Sequence, residues 1–262
     1  MTPLRVENLN FSYGKNEVIR NLSFSIESGA VTTILGPNGS GKTTLLKLLL
    51  GLFLPQNGNI YLYDRPLSDY ELKERALKLA YVPQKHIPAF SFSVIDIVAM
   101  GRHPHGSIFS RTGTQDLAAA QASLERLKIQ PLADRPYTEI SGGEQQLVLI
   151  ARALTQQTEI LIMDEPVSGL DYGNQILLLQ QLQSLAREGI TCITTSHFPE
   201  HALWIAEHAI FLKNGSLLAA GKAREIINSE NLKSLYDADI KVIETQNSQG
   251  KIKTCVPDFC NL

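Results

Sequence analysis

Residues 36–44 read GPNGSGKTT. They fit the phosphate-binding pattern G-x-x-x-x-G-K-[ST], with Gly36, Gly41, Lys42 and Thr43 at the defining places. The stretch before them, Ala30-Val-Thr-Thr-Ile-Leu35, is apolar and β-branched and reads as a strand. The stretch after them, Leu45-Leu-Lys-Leu-Leu-Leu50, reads as a helix. Strand, glycine loop and helix are the context the pattern requires. Glycines let backbone N–H groups close around phosphate oxygens, and the new helix aims its positive end at them. Lys42 has the reach for the β- and γ-phosphates, and Thr43 offers a hydroxyl to Mg²⁺. Pro37, Asn38, Gly39, Ser40 and Thr44 complete the loop.

A second stretch says what the nucleotide serves. Residues 140–154 read ISGGEQQLVLIARAL. Ser141 and Glu144 form a capping box ahead of an apolar run. Capping does not explain Gly142 and Gly143, because glycine costs helix stability at interior positions. Two glycines at a helix start permit close approach by another group, and an anion is the natural one.

With these residues the chain resembles an ATP-binding-cassette ATPase, the motor subunit of an ABC transporter. Ser141, Gly142, Gly143, Glu144 and Gln145 resemble the signature motif, which in that family binds the γ-phosphate of ATP held by the opposite subunit. Tyr13 resembles the aromatic residue that stacks on adenine. Gln84, in Tyr81-Val-Pro-Gln84, resembles the Q-loop glutamine, which also approaches the metal. Ile160-Leu-Ile-Met-Asp164-Glu165-Pro166 resembles the Walker B strand with its catalytic glutamate. Ser168-Gly-Leu-Asp171 resembles the D-loop, and His197 the switch histidine. The resemblance covers residues 3–235, with the motifs in the family's order.

These residues also have chemical reasons of their own. Residues 160–163 are continuously apolar, as in a strand buried on both faces of a parallel sheet. Asp164 and Glu165 then stand at its carboxyl end, where open α/β sheets bind ligands. The reading is that Asp164 holds Mg²⁺, through water or directly, while Glu165 orients and deprotonates the attacking water. His197 ends another apolar strand, where it can donate to the γ-phosphate. Gln84 and Tyr13 rest on the resemblance rather than on pattern.

The expected fold is α/β: a P-loop NTPase core with a mostly parallel sheet, an N-terminal antiparallel β subdomain and an inserted helical subdomain at about residues 86–158. The ATPase domain is expected to span 1–240, with a C-terminal extension over 241–262. Asn214-Gly215 between two apolar runs signals a hairpin. Residues 222–235 read as one terminal helix, and residues 240–258 as either two strands around 248–250 or a loose tail.

Composition bounds the function. The chain has 262 residues, 44% apolar and 19% charged, within the globular range and enough for a large core. A formal net charge of −2 argues against a broad basic surface for nucleic acid. Lys47 and Gly51 interrupt the run at 45–54, and no run reaches the roughly 18 residues of a membrane span. The N-terminus MTPLRVENLN has no apolar signal region, so a membrane function is expected to come from a partner. Cys192 reads as a core residue, and Cys255 and Cys260 lack a matching Cys/His pair.

The resemblance implies the rest. Each motif occurs once, so a second chain must complete each catalytic site. The expectation is a head-to-tail homodimer with two molecules of ATP, and Mg²⁺ as cofactor. The expected partner is an integral permease, with a substrate-binding protein acting indirectly. The expected place is the cytoplasmic face of the inner (plasma) membrane, peripherally, through that permease. Val94-x-Asp96-x-Val98 and Met100-Gly101-Arg102-x-Pro104-His105 are similar to importers of iron–siderophore complexes, haem and cobalamin, some relatives of which carry metal oxyanions. Residues 92–105 are expected at the permease-docking surface near Gln84. The alternative is a soluble cassette ATPase, for example one serving iron–sulfur cluster assembly. A DNA-repair cassette would need a long coiled coil between Lys42 and Ser141, and no sustained heptads occur there. Three departures from the family pattern stand out: Ile140 for leucine, Val167 for threonine, and Phe198-Pro199 after His197. Pro199 restricts Phe198 and so bears on the conformation of the histidine loop.

Overall fold

The computed structural model describes residues 2–84, 90–106, 113–247 and 250–258. Its elements, in chain order, begin with β1 (Leu4–Tyr13), β2 (Asn16–Ile26), β3 (Val31–Leu35), α1 (Lys42–Leu49), β4 (Asn57–Leu62) and β5 (Arg65–Pro66). There follow α2 (Leu72–Lys78), β6 (Leu79–Val82), α3 (Val94–Ala99), a 3₁₀ run over Met100–His105, α4 (Thr114–Arg126), α5 (Gly142–Thr155), β7 (Ile160–Met163) and α6 (Tyr172–Arg187). The chain closes with β8 (Thr191–Ser196), α7 (Pro199–Ile205), β9 (His208–Lys213), β10 (Ser216–Lys222), α8 (Ala223–Ile226), α9 (Ser229–Tyr236), β11 (Ile240–Asn247) and β12 (Gly250–Pro257).

Two compact units emerge. The first comprises 1–69 and 182–262, the second 70–181. In the first, β2, β1, β4 and β5 form an antiparallel sheet, Leu4 pairing with Ile26 on one side and Leu62 on the other. Its alternation is that of a sheet with one buried face: Leu4, Val6 and Leu9 are buried between more exposed neighbours. Beside it, β3 lies between β8 and β9, parallel to both, and all five of its residues are buried. That explains why the stretch before the glycine loop is apolar without alternation. β9 turns into β10 through Asn214 and Gly215, both at positive φ (50° and 78°), as a two-residue hairpin requires.

The second unit pairs β6 with β7 in parallel, Leu79 to Ile160 through Val82 to Met163. Its other described elements are mostly helical, with α3, α4 and α5 sharing a core of Val94, Ile97, Val98, Leu124, Val148 and Leu149. The expected fold class is thus observed: parallel core strands, an N-terminal antiparallel sheet and a helical subdomain.

Two local readings change. The single helix read over 222–235 is two helices, because Asn228 is extended and caps α9 by accepting from the N–H of Asn231 at 2.9 Å. The tail at 240–258, open between strands and loose chain, forms the β11–β12 hairpin, and residues 248–249 lie outside the described residues. Val242 and Cys255 pack against a core that includes Leu35, Ala202, Phe211 and Leu232.

Candidate functional site

In the first unit, the glycine loop opens at the carboxyl end of β3. A Cβ on Gly36 would stand 2.2 Å from the backbone oxygen of Leu212, so the loop can follow this path only with glycine there. Gly39 (φ 79°) has no neighbour within 4 Å of where its Cβ would be, and its left-handed backbone keeps that side of the loop open. Lys42 lies back along the loop, donating from Nζ to the carbonyls of Gly36 (2.7 Å) and Pro37 (3.1 Å). The ammonium is therefore held over the loop's concavity by main-chain acceptors. Thr43 follows in the first turn of α1.

The helix start suits an anion. The N-cap of α1 is Gly41, in the left-handed region, and it supplies no side-chain cap. No side chain of the cap residue competes with an anion for the first N–H groups of the helix, as Ser, Asp or Asn would. Ser40 Oγ is buried with no hydrogen-bond partner among the described residues. Loop, ammonium, bare helix end and orphan hydroxyl fit a polyphosphate. Tyr13 stands beside them, half exposed, its hydroxyl 3.5 Å from Thr44 Oγ1. It packs edge-on to Phe11 (5.0 Å) and Phe53 (5.7 Å). Phe53, forty residues on from Tyr13, escaped the sequence reading, since an aromatic after a helix carries no signal of its own.

His197 follows Ser196, the register partner of Leu35, so His197 and Gly36 leave neighbouring parallel strands at the same level. The following departure from family pattern has a structural role: Phe198 is extended (φ −106°, ψ 110°), as a residue before proline must be, and Pro199 takes the first turn of α7. The rings of His197 and Phe198 lie 4.0 Å apart, and Phe198 lies 5.2 Å from His201. His201 is buried, and burial, then the nearby His197, hold its imidazole below the ordinary histidine value.

In the second unit, Asp164 and Glu165 leave the carboxyl end of β7. Asp164 is buried, and its N–H donates to Val82 O at 2.9 Å, extending the β6–β7 ladder past the named strands. The Tyr81 hydroxyl is pushed up to about 12 by burial and then by the Asp164 charge. Glu165 is a non-glycine residue at φ 45°, a conformation that costs energy and collects at functional sites. Gln84 Nε2 donates to Glu165 Oε2 at 2.9 Å. Two residues 81 apart in sequence, one of them invisible to pattern, are brought together here.

The α5 start carries the capping box as read. Ser141 N–H and Oγ–H both donate to Glu144 Oε2 at 2.8 Å, and Glu144 N–H donates to Ser141 Oγ at 3.3 Å. Those bonds hold the Glu144 carboxyl below its ordinary range. The two glycines differ. A Cβ on Gly142 would meet nothing within 4 Å, whereas one on Gly143 would press on Leu170 Cδ2 at 3.1 Å. Gly143 is thus accounted for by packing on the loop before Asp171, and Gly142 by open space. Gln145 Nε2 donates to the carbonyls of Tyr137 (3.1 Å) and Ile140 (3.4 Å). Asp171 accepts from Asn174, N–H on Oδ1 (2.9 Å) and Nδ2 on Oδ2 (2.7 Å), and so caps α6.

In the second unit Asp164 and Gln84 offer carboxylate and amide oxygens, and in the first unit Thr43 offers a hydroxyl, each a hard donor of the kind Mg²⁺ takes. No helix of the described residues is long and apolar enough to cross a membrane.

Comparison with known proteins gives the family. Residues 19–168 match the family described as ABC transporter. The chain is 37% identical to the molybdate import ATP-binding protein MolC of Haemophilus influenzae, over 99% of this chain and 98% of that one. It is 36% identical to the ferric enterobactin transport ATP-binding protein FepC of Escherichia coli, over 92% and 89%. Among solved structures, an inward-facing ABC transporter described as of metal-chelate type superposes with a TM-score of 0.88 at 34% identity, covering 99% of each chain. The chain belongs to the ABC transporter family, as an ATP-binding cassette and ATPase.

Proposed function

We propose that this chain is the ATP-hydrolysing subunit of an importer that takes up an iron–siderophore complex, haem, cobalamin or a similar metal chelate through a separate membrane permease. The observation that carries the hydrolytic part is the Gln84–Glu165 contact at the end of β7. It sets a carboxylate beside the amide that is to sense the nucleotide.

The roles divide as follows. Backbone N–H groups of residues 36–44 and Lys42 bind the phosphates, and Tyr13 stacks on the adenine. Thr43, Asp164 and Gln84 hold Mg²⁺, whose chemistry when bound is to neutralise charge developing on the phosphates. Glu165 accepts a proton from the attacking water, and His197 donates to the γ-phosphate. Two copies face head to tail, so that Ser141, Gly142, Gly143, Glu144 and Gln145 of one, with Asp171 nearby, meet the nucleotide of the other. The open space at Gly142 supports close approach from outside the chain.

Two features support import of a chelate. The Met100–His105 string is similar to that of chelate importers, and relatives serve ferric enterobactin and molybdate. Phe90 and Phe92 form an exposed aromatic pair, 71% and 38% exposed with rings 6.1 Å apart, where a permease helix could seat. The subunit then sits peripherally on the cytoplasmic face of the inner membrane.

The test is an affinity capture of tagged Glu165→Gln with ATP from detergent-solubilised native membranes, read by mass spectrometry. A polytopic permease is expected. Recovery of soluble partners alone overturns the importer reading and leaves a soluble cassette ATPase.

A further inference from the structure

The string at residues 100–105 does more than mark a subfamily: its residues close the far end of the signature helix. α5 ends at Thr155; just past it, Gln156 N–H donates to Ala153 O (3.3 Å) and Gln157 N–H to Leu154 O (3.0 Å), and the carbonyls that follow look outside the helix. Arg102 Nη1 donates to Thr155 O at 3.3 Å and to Gln157 Oε1 at 2.8 Å. His105 Nε2, which must carry its proton to bond a carbonyl, donates to Gln156 O at 2.7 Å. Donors at a helix C-terminus meet the negative end of its dipole. Gly101 makes the approach possible, since a Cβ there would stand 2.2 Å from Arg152 O. Asp116 of α4 anchors the same guanidinium, 3.5 Å from Arg102 Nε.

The other end of this segment is tied to the other end of the helix. Phe92 O accepts from Tyr137 N–H at 2.9 Å, and Tyr137 O accepts from Gln145 Nε2 at 3.1 Å. The N–H groups of Val94 and Ile95 donate to Arg135 O (3.0 Å) and Ala133 O (2.9 Å) on the approach to Ser141. Residues 92–105 therefore strap α5 at both ends, across a 14-residue helix about 21 Å long.

We propose that Arg102 and His105 are positioning residues for the signature motif: by gripping the C-terminal end of α5, they fix where its N-terminal end presents Ser141 and Gly142 to a second copy's nucleotide. The idea rests on the proposed trans role of Ser141. It predicts that loosening the grip leaves binding at the glycine loop intact while slowing turnover, because misplacement by about 1 Å can cost as much as 100-fold in rate.

The experiment compares the full-length wild type with Arg102→Ala/His105→Ala, Arg102→Lys and Ser141→Ala. Readouts are affinity for a fluorescent ATP analogue, kcat and KM for ATP, and the thermal transition. The double variant is expected to bind the analogue within about twofold of wild type and to lose about tenfold in kcat. Arg102→Lys is expected to recover most of the rate, since an ammonium still reaches Thr155 O. A kcat unchanged in the double variant while Ser141→Ala is inactive overturns the proposal. So does a parallel loss of affinity, rate and thermal transition, which marks a merely structural role. Activity retained by Ser141→Ala instead overturns the trans reading beneath it. Should the double variant not fold, His105→Ala carries the test, and an unchanged kcat in it is decisive against.

Discussion

Gln84 donates to Glu165 across 2.9 Å, amide nitrogen to carboxylate oxygen. That polarity leaves the amide oxygen of Gln84 outside this hydrogen bond. It also occupies Oε2, the kind of atom a general base uses, until Gln84 moves. With Glu165 at φ 45°, the proposed base is held in a costly backbone conformation and tethered by a residue of a different loop. A movement of Gln84 would thus remove this hydrogen bond from Oε2.

The first prediction concerns this pair. Glu165→Gln should bind ATP and hydrolyse it about 100- to 10,000-fold more slowly, the range general bases supply. It should also accumulate as an ATP-dependent dimer on size exclusion with light scattering. Normal turnover would remove Glu165 from the chemistry.

Lys42→Ala should abolish nucleotide binding or turnover, because the ammonium held on Gly36 O and Pro37 O is the loop's one side-chain cation. Equilibrium titration with a fluorescent ATP analogue decides it; unaltered affinity and rate would place the phosphates elsewhere.

Gly36→Ala tests the loop's packing rather than its charge. The added methyl would overlap Leu212 O, so β9 or the loop must shift. Overpacking of this kind costs about 1–3 kcal/mol, read as a lower urea midpoint. An unchanged midpoint would mean that the loop has room that the geometry denies it.

His201 makes stability depend on pH. Its value in the fold is depressed by burial and then by His197, relative to 6.5 in the unfolded chain. The unfolded chain therefore takes up a proton that the folded chain refuses. The contribution is complete above about pH 6.5 and is lost as pH falls below it. His201→Gln should flatten the fall in urea midpoint between about pH 7.5 and about pH 5.5 relative to wild type. An equal fall in both proteins would show that His201 is not the group responsible.

Cys255 should be slow to alkylate. Burial, and then the Glu200 charge, push its thiol up to about 12, so little thiolate exists at neutral pH. Peptide-resolved labelling with iodoacetamide at about pH 8 should run at least about tenfold slower than for a free cysteine. Labelling at the free rate would mean that the β11–β12 hairpin does not stay packed on its core.

What the sequence by itself determined is local. The loop at 36–44, the capping box of Ser141 and Glu144, the buried strand before Asp164 and the hairpin at Asn214-Gly215 each rest on interactions among near neighbours, so each is written in a short word. Gln84 and Tyr13 were reached through family resemblance, because a glutamine in a loop and a tyrosine in a strand have no pattern of their own. Only the tertiary structure decided the rest. It set Gln84 on Glu165, Gly143 on Leu170, and Arg102 and His105 on the end of α5. It also split the last helix at Asn228 and folded the tail into a hairpin on the Phe211 core. Those outcomes depend on which donor finds which acceptor across long loops, and on which apolar face is left to cover. Strand register and packing settle both, and neighbours in sequence do not.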